Sequence, residues 1–125
     1  MSHEMRPEVR RWGPSAGLFV TADAALDLLG AVSQVEPEIN MEYVDEVSRD
    51  QYRIVWRDGA GILDRFAHLD RRTMTVAVDE VKAHRGGIES LPDALDLLEN
   101  LRACAGSWRQ YLDPDDGSLE LLIDA

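Results

Sequence analysis

The sequence predicts an α+β fold: an antiparallel four- to five-stranded meander sheet with two amphipathic helices packed on one face. Two long segments repeat apolar residues every three or four positions, which is typical of helices with one buried face. Several short segments alternate apolar and polar residues, as half-buried strands do, and turn-forming residues separate them. A chain of 125 residues has the size of one domain. We therefore assign residues 15–125 to a single α+β domain and residues 1–14 to an irregular N-terminal arm.

The N-terminal arm is charged and contains Pro7 and Pro14, which favour irregular backbone. Trp12 is expected to hold the end of this arm against the body of the protein. The apolar run 17–20 follows and is interpreted as a short first strand or a hydrophobic lead-in.

The first helix is predicted from Thr21, its N-cap, to about Val35, and Pro37 ends it. Its apolar positions form one buried face: Ala25, Leu28, Leu29, Val32 and Val35.

The middle of the chain is predicted to be a meander of strands. The clearest strand places Tyr52, Ile54 and Trp56 on one face, with polar residues between them. Residues 73–78 and 119–123 alternate in the same way. Turn-forming residues favour hairpins at three places: 48–50, 58–61 and 70–72.

Two further segments in the middle give weaker signals. Residues 41–47 predict a strand with Met41, Tyr43 and Val47 inward. Segment 62–69 is ambiguous, because its apolar spacing fits a helix while its position between two predicted strands favours a strand. We interpret it as a strand.

A second helix is predicted over residues 91–112, with Ser90 as its N-cap and Asp93 three residues later. Apolar residues recur along it at alternating spacings of three and four and form a seam: Leu91, Ala94, Leu98, Leu101, Ala105, Trp108 and Leu112. We interpret the seam as the side that packs on the sheet, in a monomer. The alternative is a homodimer in which two copies of this helix pair.

The formal net charge of −11 is the main indication of function. Two acidic stretches, residues 36–50 and 86–125, flank a slightly basic middle. Such a surface repels nucleic-acid phosphate and anionic lipid, so neither a nucleic acid nor a membrane is expected as a partner. We expect a basic protein partner. Acidity that only keeps the domain soluble would explain the same composition.

The expected location of the protein is the cytoplasm. Residues 1–12 lack the apolar stretch of a signal peptide, and no apolar run reaches the roughly 18 residues of a membrane span. The single cysteine, Cys104, has no partner for an intramolecular disulfide. The dominance of arginine over lysine is typical of a GC-rich bacterial genome.

No catalytic or cofactor-binding motif is present: the glycine-rich nucleotide loop, the phosphate loop and the nucleophile elbow are all missing. We expect a non-catalytic protein-binding domain with no cofactor and no metal, such as an inhibitor, immunity or regulatory protein acting on a basic partner. Opposite charges would speed their encounter. The predicted partner-binding residues form one group on the second helix and one before the sheet: Asp93, Asp96, Glu99, Glu42, Asp45 and Glu46.

The alternative function is a small enzyme or ligand-binding domain that uses a His/Asp/Arg cluster. Histidine most readily exchanges protons near neutral pH, and arginines bind anions such as phosphate or carboxylate. His84 also follows Glu80 by four residues, a spacing that brings two side chains together on a helix. This alternative requires the candidate residues to converge on one pocket: His68, Asp70, His84, Arg65 and Arg72.

Overall fold

The computed structural model describes residues 8–13, 21–41, 43–48, 51–84, 91–111 and 117–124. The strands among them are β1 (Glu8–Trp12), β2 (Tyr43–Ser48), β3 (Gln51–Trp56) and β4 (Leu119–Asp124). The helices are α1 (Ala22–Val35), α2 (Gly59–Ala67), α3 (Arg71–His84) and α4 (Leu91–Arg109). The chain runs through them in the order β1, α1, β2, β3, α2, α3, α4, β4. The predicted α+β class is confirmed.

The sheet is mixed, so the prediction of an antiparallel meander with two helices is wrong. Its strand order is β1-β4-β3-β2, with β1 parallel to β4 and the other neighbours antiparallel. The predicted antiparallel pairing of β2 with β3 is confirmed. Three helices lie between β3 and β4 in the chain, where the meander required further strands. The sheet is therefore completed by strands from opposite ends of the chain.

One face of the sheet carries the core. In the register, Ile54 of β3 pairs with Leu121 of β4 and Trp56 pairs with Leu119, and none of the four is more than 1% exposed. Helices α1 and α2 pack on this part of the sheet. The predicted strand with Ile54 and Trp56 inward is confirmed.

Strand β2 is confirmed. Of the three residues predicted to point inward, Met41 packs against the core, but Tyr43 and Val47 do not. Tyr43 and Val47 are 53% and 47% exposed, and Val44 is 43% exposed. Val44 pairs with Ile54 and so lies on the core side of the sheet, whereas Tyr43 lies on the opposite face. The described helices pack on β3 and β4, and β2 extends beyond them, which leaves both of its faces partly open.

Segment 62–69 belongs to helix α2 and the turn after it, so the interpretation as a strand is wrong. Asp58 caps the helix, because its carboxylate accepts a hydrogen bond of 3.0 Å from the backbone N–H of Gly61. Phe66 packs edge-on against Trp56 of the sheet, with ring centroids 5.6 Å apart. The predicted turn at 58–61 is therefore a helix start.

Residues 73–78 lie in helix α3, so this predicted strand is also wrong. Asp70 caps the helix by accepting a 2.7 Å hydrogen bond from the backbone N–H of Thr73. The buried side chains recur at helical spacing: Thr73, Met74, Ala77, Val78 and Val81. Val76, the middle residue of the apparent alternation, is 45% exposed. The spacing of apolar residues in so short a segment fits both the two-residue period of a strand and the 3.6-residue period of a helix. Here packing against α1 and α4 favours the helix.

The N-terminal segment predicted as an irregular arm contains a strand, since Glu8–Trp12 forms β1. Pairing with β4 provides the backbone of this segment with hydrogen-bond partners that an irregular arm would lack. Trp12 does hold the segment against the body, as expected: its side chain is 4% exposed, and its indole N–H donates to the carbonyl of Leu97 at 3.1 Å.

Helix α4 confirms the predicted second helix, and its seam lies in the core. Four seam residues are fully buried: Ala94, Leu98, Leu101 and Ala105. The helix packs chiefly against α2 and α3, not on the sheet. A homodimer through this seam would have to withdraw these side chains from the core. The predicted strand at 17–20 and the cap at Ser90 lie outside the described residues.

Candidate functional site

A cavity of about 390 Å³ opens between α1, α3 and the start of β2. Its volume falls in the range of ligand pockets, roughly 300–1,000 Å³. The cavity exists because α1 packs on α3 and on β3 and β4, which leaves β2 extending past the helices. Met41 and Val44 line it on the β2 side.

Helix α1 forms the longest wall of the cavity. Leu26, Gly30 and Gln34 follow one another at four-residue spacing and all line it. A Cβ atom at Gly30 would meet nothing within 4 Å, so this glycine leaves the space beside it open. The facing wall comes from α3: Glu80, Val81 and His84.

Two carboxylates line the cavity, and two others lie near Tyr52 on α1 and β2; we call these four the acidic rim: Asp23, Asp27, Glu46 and Glu80. Asp27 and Glu80 line the cavity directly. Asp23 lies one helical turn before Asp27 and accepts a hydrogen bond from the hydroxyl of Tyr52. Glu46 pairs with Tyr52 in the β2–β3 ladder, which puts it on the core side of the sheet.

The Tyr52 hydroxyl responds to the negative charge of the acidic rim. The hydrogen bond to Asp23 raises the pKa of Tyr52 to about 12, with further contributions from burial and from the charges of Asp23, Glu46 and Asp27. A phenolate at this position would add negative charge among carboxylates, which disfavours ionisation. The charges of three of the four rim carboxylates thus all contribute to the raised pKa of this hydroxyl.

His84 is the one residue, among the described residues lining the cavity, that can carry positive charge. Its Nε2 lies 3.8 Å from Oε1 of Glu80, and both side chains are more than half exposed. Such an exposed pair is weak, so it leaves the carboxylate open to other partners. Carboxylates and an apolar lining together suit a side chain with an aliphatic stem and a positive head.

The predicted acidic group on α4 consists of Asp93, Asp96 and Glu99, and some of these carboxylates already interact with other residues of the same chain. Glu99 Oε1 accepts a 3.0 Å hydrogen bond from Nη1 of Arg71. Asp93 also interacts with other groups, whereas Asp96 is exposed. Two of these three carboxylates therefore have partners within the chain, and none of the three lines the cavity.

Only Glu46 of the second predicted group belongs to the acidic rim. Asp45 lies on the opposite face of the sheet and pairs with Nη2 of Arg53 at 2.8 Å. Nε of Arg53 lies 3.4 Å from Oε1 of Glu120, without the geometry of a hydrogen bond. Glu42 lies outside the described residues.

The predicted His/Asp/Arg cluster is not brought together. Asp70 caps one end of α3 and His84 lies at the other, roughly 20 Å away at 1.5 Å per residue. The other candidates lie near the Asp70 end: His68, Arg65 and Arg72. Of this set only His84 lines the cavity, and His68 lies near the opposite end of α3.

Three rim carboxylates were not among the predicted site residues: Asp23, Asp27 and Glu80. Asp23 and Asp27 stand four residues apart on the predicted first helix, which is the local signal that could have identified them. Glu80 has the same spacing to His84, but residues 73–78 were predicted as a strand. Only the packing of α1 beside α3 brings these carboxylates to one cavity.

Within the described residues, no group of three or more His, Cys, Asp or Glu side chains could hold a metal ion. None of the helices in that part of the chain combines the length and apolar character needed to cross a bilayer. A fold class hosts many unrelated functions, so function has to be inferred from the site. No protein-family model, curated protein or solved structure matches this chain.

Proposed function

We propose that this protein is a small, acidic, non-catalytic protein-binding domain that binds a basic partner at the cavity between α1, α3 and β2. The observation that carries the proposal is the acidic rim: Asp27 of α1 and Glu80 of α3 line one concave site, and Asp23 and Glu46 add negative charge near Tyr52. An inhibitor, immunity or regulatory protein acting on a basic protein is the biological form of this activity.

A lysine or arginine side chain of the partner fits the cavity chemically. Its aliphatic stem can lie against Leu26 and Val44, while its positive head reaches Asp27 and Glu80. Arginine has the further advantage that its guanidinium can bind a carboxylate through two hydrogen bonds.

The net charge determines the expected character of the complex. A charge of −11 attracts a basic partner and raises the rate of encounter. Exposed carboxylates are screened by salt over a Debye length of about 10 Å at 0.1 M. The affinity should therefore fall as the ionic strength rises.

The test is a calorimetric titration with an oligo-arginine peptide at low and high salt. The cavity variant, Asp27→Asn with Glu80→Gln, removes two charges from the lining. The control variant, Asp79→Asn with Asp96→Asn, removes two charges from exposed positions outside it. Both variants have the same net charge, so a difference between their peptide affinities shows that the position of the carboxylates matters as well as their number.

We expect the cavity variant to bind the peptide at least about tenfold more weakly than the natural protein, and the control variant to change the Kd by less than about twofold. Equal weakening by the two variants would show that binding follows net charge alone and would contradict the proposal. Weakening by the control alone would place the partner outside the cavity, at Asp79 or Asp96, and would also contradict the proposal. An affinity that is the same at low and high salt would also contradict it.

A further inference from the structure

We infer that the basic partner segment binds as an extended strand added to the outer edge of β2, with alternate side chains entering the cavity. This inference rests on the proposed function and specifies the partner's conformation. Strand β2 is last in the sheet order β1-β4-β3-β2, and no described strand pairs with its outer edge. An edge of this kind presents backbone N–H and C=O groups to a further strand.

The side chains of β2 are exposed along the strand. Tyr43, Val44 and Val47 are 53%, 43% and 47% exposed. A strand paired at the edge would lie about 4.8 Å from β2 and would cover part of this apolar surface. Burial of exposed apolar side chains would then add to the main-chain hydrogen bonds.

The register of β2 links its edge to the cavity. Val44 lines the cavity, and Glu46, two residues later, belongs to the acidic rim on the same face of the sheet. An added strand has the same two-residue period, so its alternate side chains would lie beside Val44 and Glu46. A basic residue at these positions would reach Asp27 and Glu80, and the intervening side chains would lie on the face of Tyr43.

The charges on β2 select a basic strand over a second copy of this chain. Pairing of two β2 edges would bring Asp45 and Glu46 close to their own copies, and like charges across strands are destabilising. The register of β2 with β3 shifts between Glu46 and Ser48, so the regular part of the strand is Tyr43–Glu46, which includes Val44 of the cavity lining. A short segment with arginine or lysine at alternate positions avoids the repulsion.

The test uses the full chain and a synthetic peptide in which arginine and valine alternate. Two further peptides carry N-methyl groups, one on the arginine amides and the other on the valine amides. In an extended peptide these two sets of amides point to opposite edges, so only one set can face β2. Each methylated peptide is therefore the control for the other, with the same charge and the same number of methyl groups.

We measure the Kd of each peptide by calorimetry and the hydrogen exchange of the amides of residues 43–48. One methylated peptide should bind at least about tenfold more weakly than the parent peptide, and the other within about twofold of it. Saturation with the parent peptide should slow exchange in β2 by about tenfold or more.

Failure of the inference and failure of the proposed function give different results. If both methylated peptides bind as tightly as the parent, or lose affinity equally, and β2 exchange is unchanged, strand addition is wrong. The proposed function survives that result if Asp27→Asn with Glu80→Gln still weakens the parent peptide selectively. If the parent peptide does not bind, or binds equally to the cavity variant, both are wrong.

Discussion

Tyr52 is the residue at which the sheet meets the acidic rim. Its hydroxyl donates to Asp23, and its pKa of about 12 lies above the ordinary value of 10.0. The folded protein therefore holds this proton more tightly than the unfolded chain does. The stability that comes from the interaction is fully present below pH 10, and it is lost as the pH rises toward 12.

Asp23→Asn should move the titration of Tyr52 down toward 10.0, because the neutral amide no longer holds the phenol proton with a negative charge. The measurement is the near-ultraviolet absorbance of tyrosinate against pH, with circular dichroism following the fold. Subtracting the titration of the Tyr52→Phe variant isolates Tyr52 among the three tyrosines. A wild-type difference curve centred at 10 would show that the Asp23 contact is not kept in solution.

Gly59 is the second residue with a measurable consequence, because helix α2 meets the backbone before β4 there. A Cβ atom at Gly59 would lie 2.7 Å from the carbonyl oxygen of Gly117 and 2.9 Å from the backbone nitrogen of Leu119. Neither atom belongs to a flexible side chain that could move aside. Gly59→Ala should therefore lower the free energy of unfolding by about 1–3 kcal/mol, measured by urea denaturation.

The matched control is Gly106→Ala in α4, where a Cβ atom would meet nothing within 4 Å. This substitution should raise the free energy of unfolding by about 0.5–1 kcal/mol, because alanine favours the helix over glycine. Opposite signs for the two substitutions are expected. Stabilisation by the alanine at both positions would contradict the close approach of α2 to Gly117.

At the scale of the elements, short polar side chains define where three helices begin. Thr21, Asp58 and Asp70 each accept a hydrogen bond from a backbone N–H in the first turn, at 3.1, 3.0 and 2.7 Å. The hydrogen bond from the N–H of Thr73 is the main cause that lowers the pKa of Asp70. The stability from that cap is therefore present at neutral pH and is lost as the pH falls through the pKa of the folded state.

The cap of α1 can be tested with two threonine-to-alanine substitutions, one at the cap and one at an exposed control position. Thr21→Ala should lower the free energy of unfolding by about 1 kcal/mol, because the N–H of Ala24 loses its acceptor. Thr75→Ala in α3 is the control, since Thr75 is exposed and its hydroxyl only donates back to the carbonyl of Arg71. Its effect should stay within about 0.5 kcal/mol in the same urea titrations. Equal costs would mean that the Thr21 cap does not stabilise α1.

At the scale of the whole molecule, β1 and β4 join the two ends of the described chain in parallel, and Trp12 ties β1 to α4. Truncating this side chain would leave a cavity in the core and would remove its hydrogen bond to the carbonyl of Leu97. Trp12→Ala should therefore lower the free energy of unfolding by about 3–5 kcal/mol. Tyr111→Ala is the control: this side chain is 74% exposed, and its loss should cost no more than about 0.5 kcal/mol. Similar costs for the two would show that β1 does not pack as described.

The sequence allowed part of the candidate site to be predicted. The net charge follows from composition, the basic partner inferred from that charge stays a prediction, and Glu46 is the one predicted partner-binding residue in the acidic rim. Asp23, Asp27 and Glu80 were not, because a carboxylate on one helix carries no local information about the helix beside it. The four-residue spacing of Glu80 and His84 does predict that these two side chains meet, but it gives no information about α1, which supplies Asp27.

By itself the sequence determined the elements with a long or clearly bounded pattern: α1 with its Thr21 cap, the β2–β3 pair, α4 with its buried seam, and β4. Periodicity indicates most of the buried face of α1, β3, β4 and α4, whereas Tyr43 and Val47 of β2 are exposed although they were expected inward. The tertiary structure alone decided that residues 59–67 and 71–84 form helices, that β1 pairs in parallel with β4, and that Asp27 and Glu80 line one cavity. A short apolar segment fits both a strand and a helix, and strand pairing and charge clustering arise between elements distant in the chain. These choices depend on packing between elements, and a local sequence pattern carries no information about that packing.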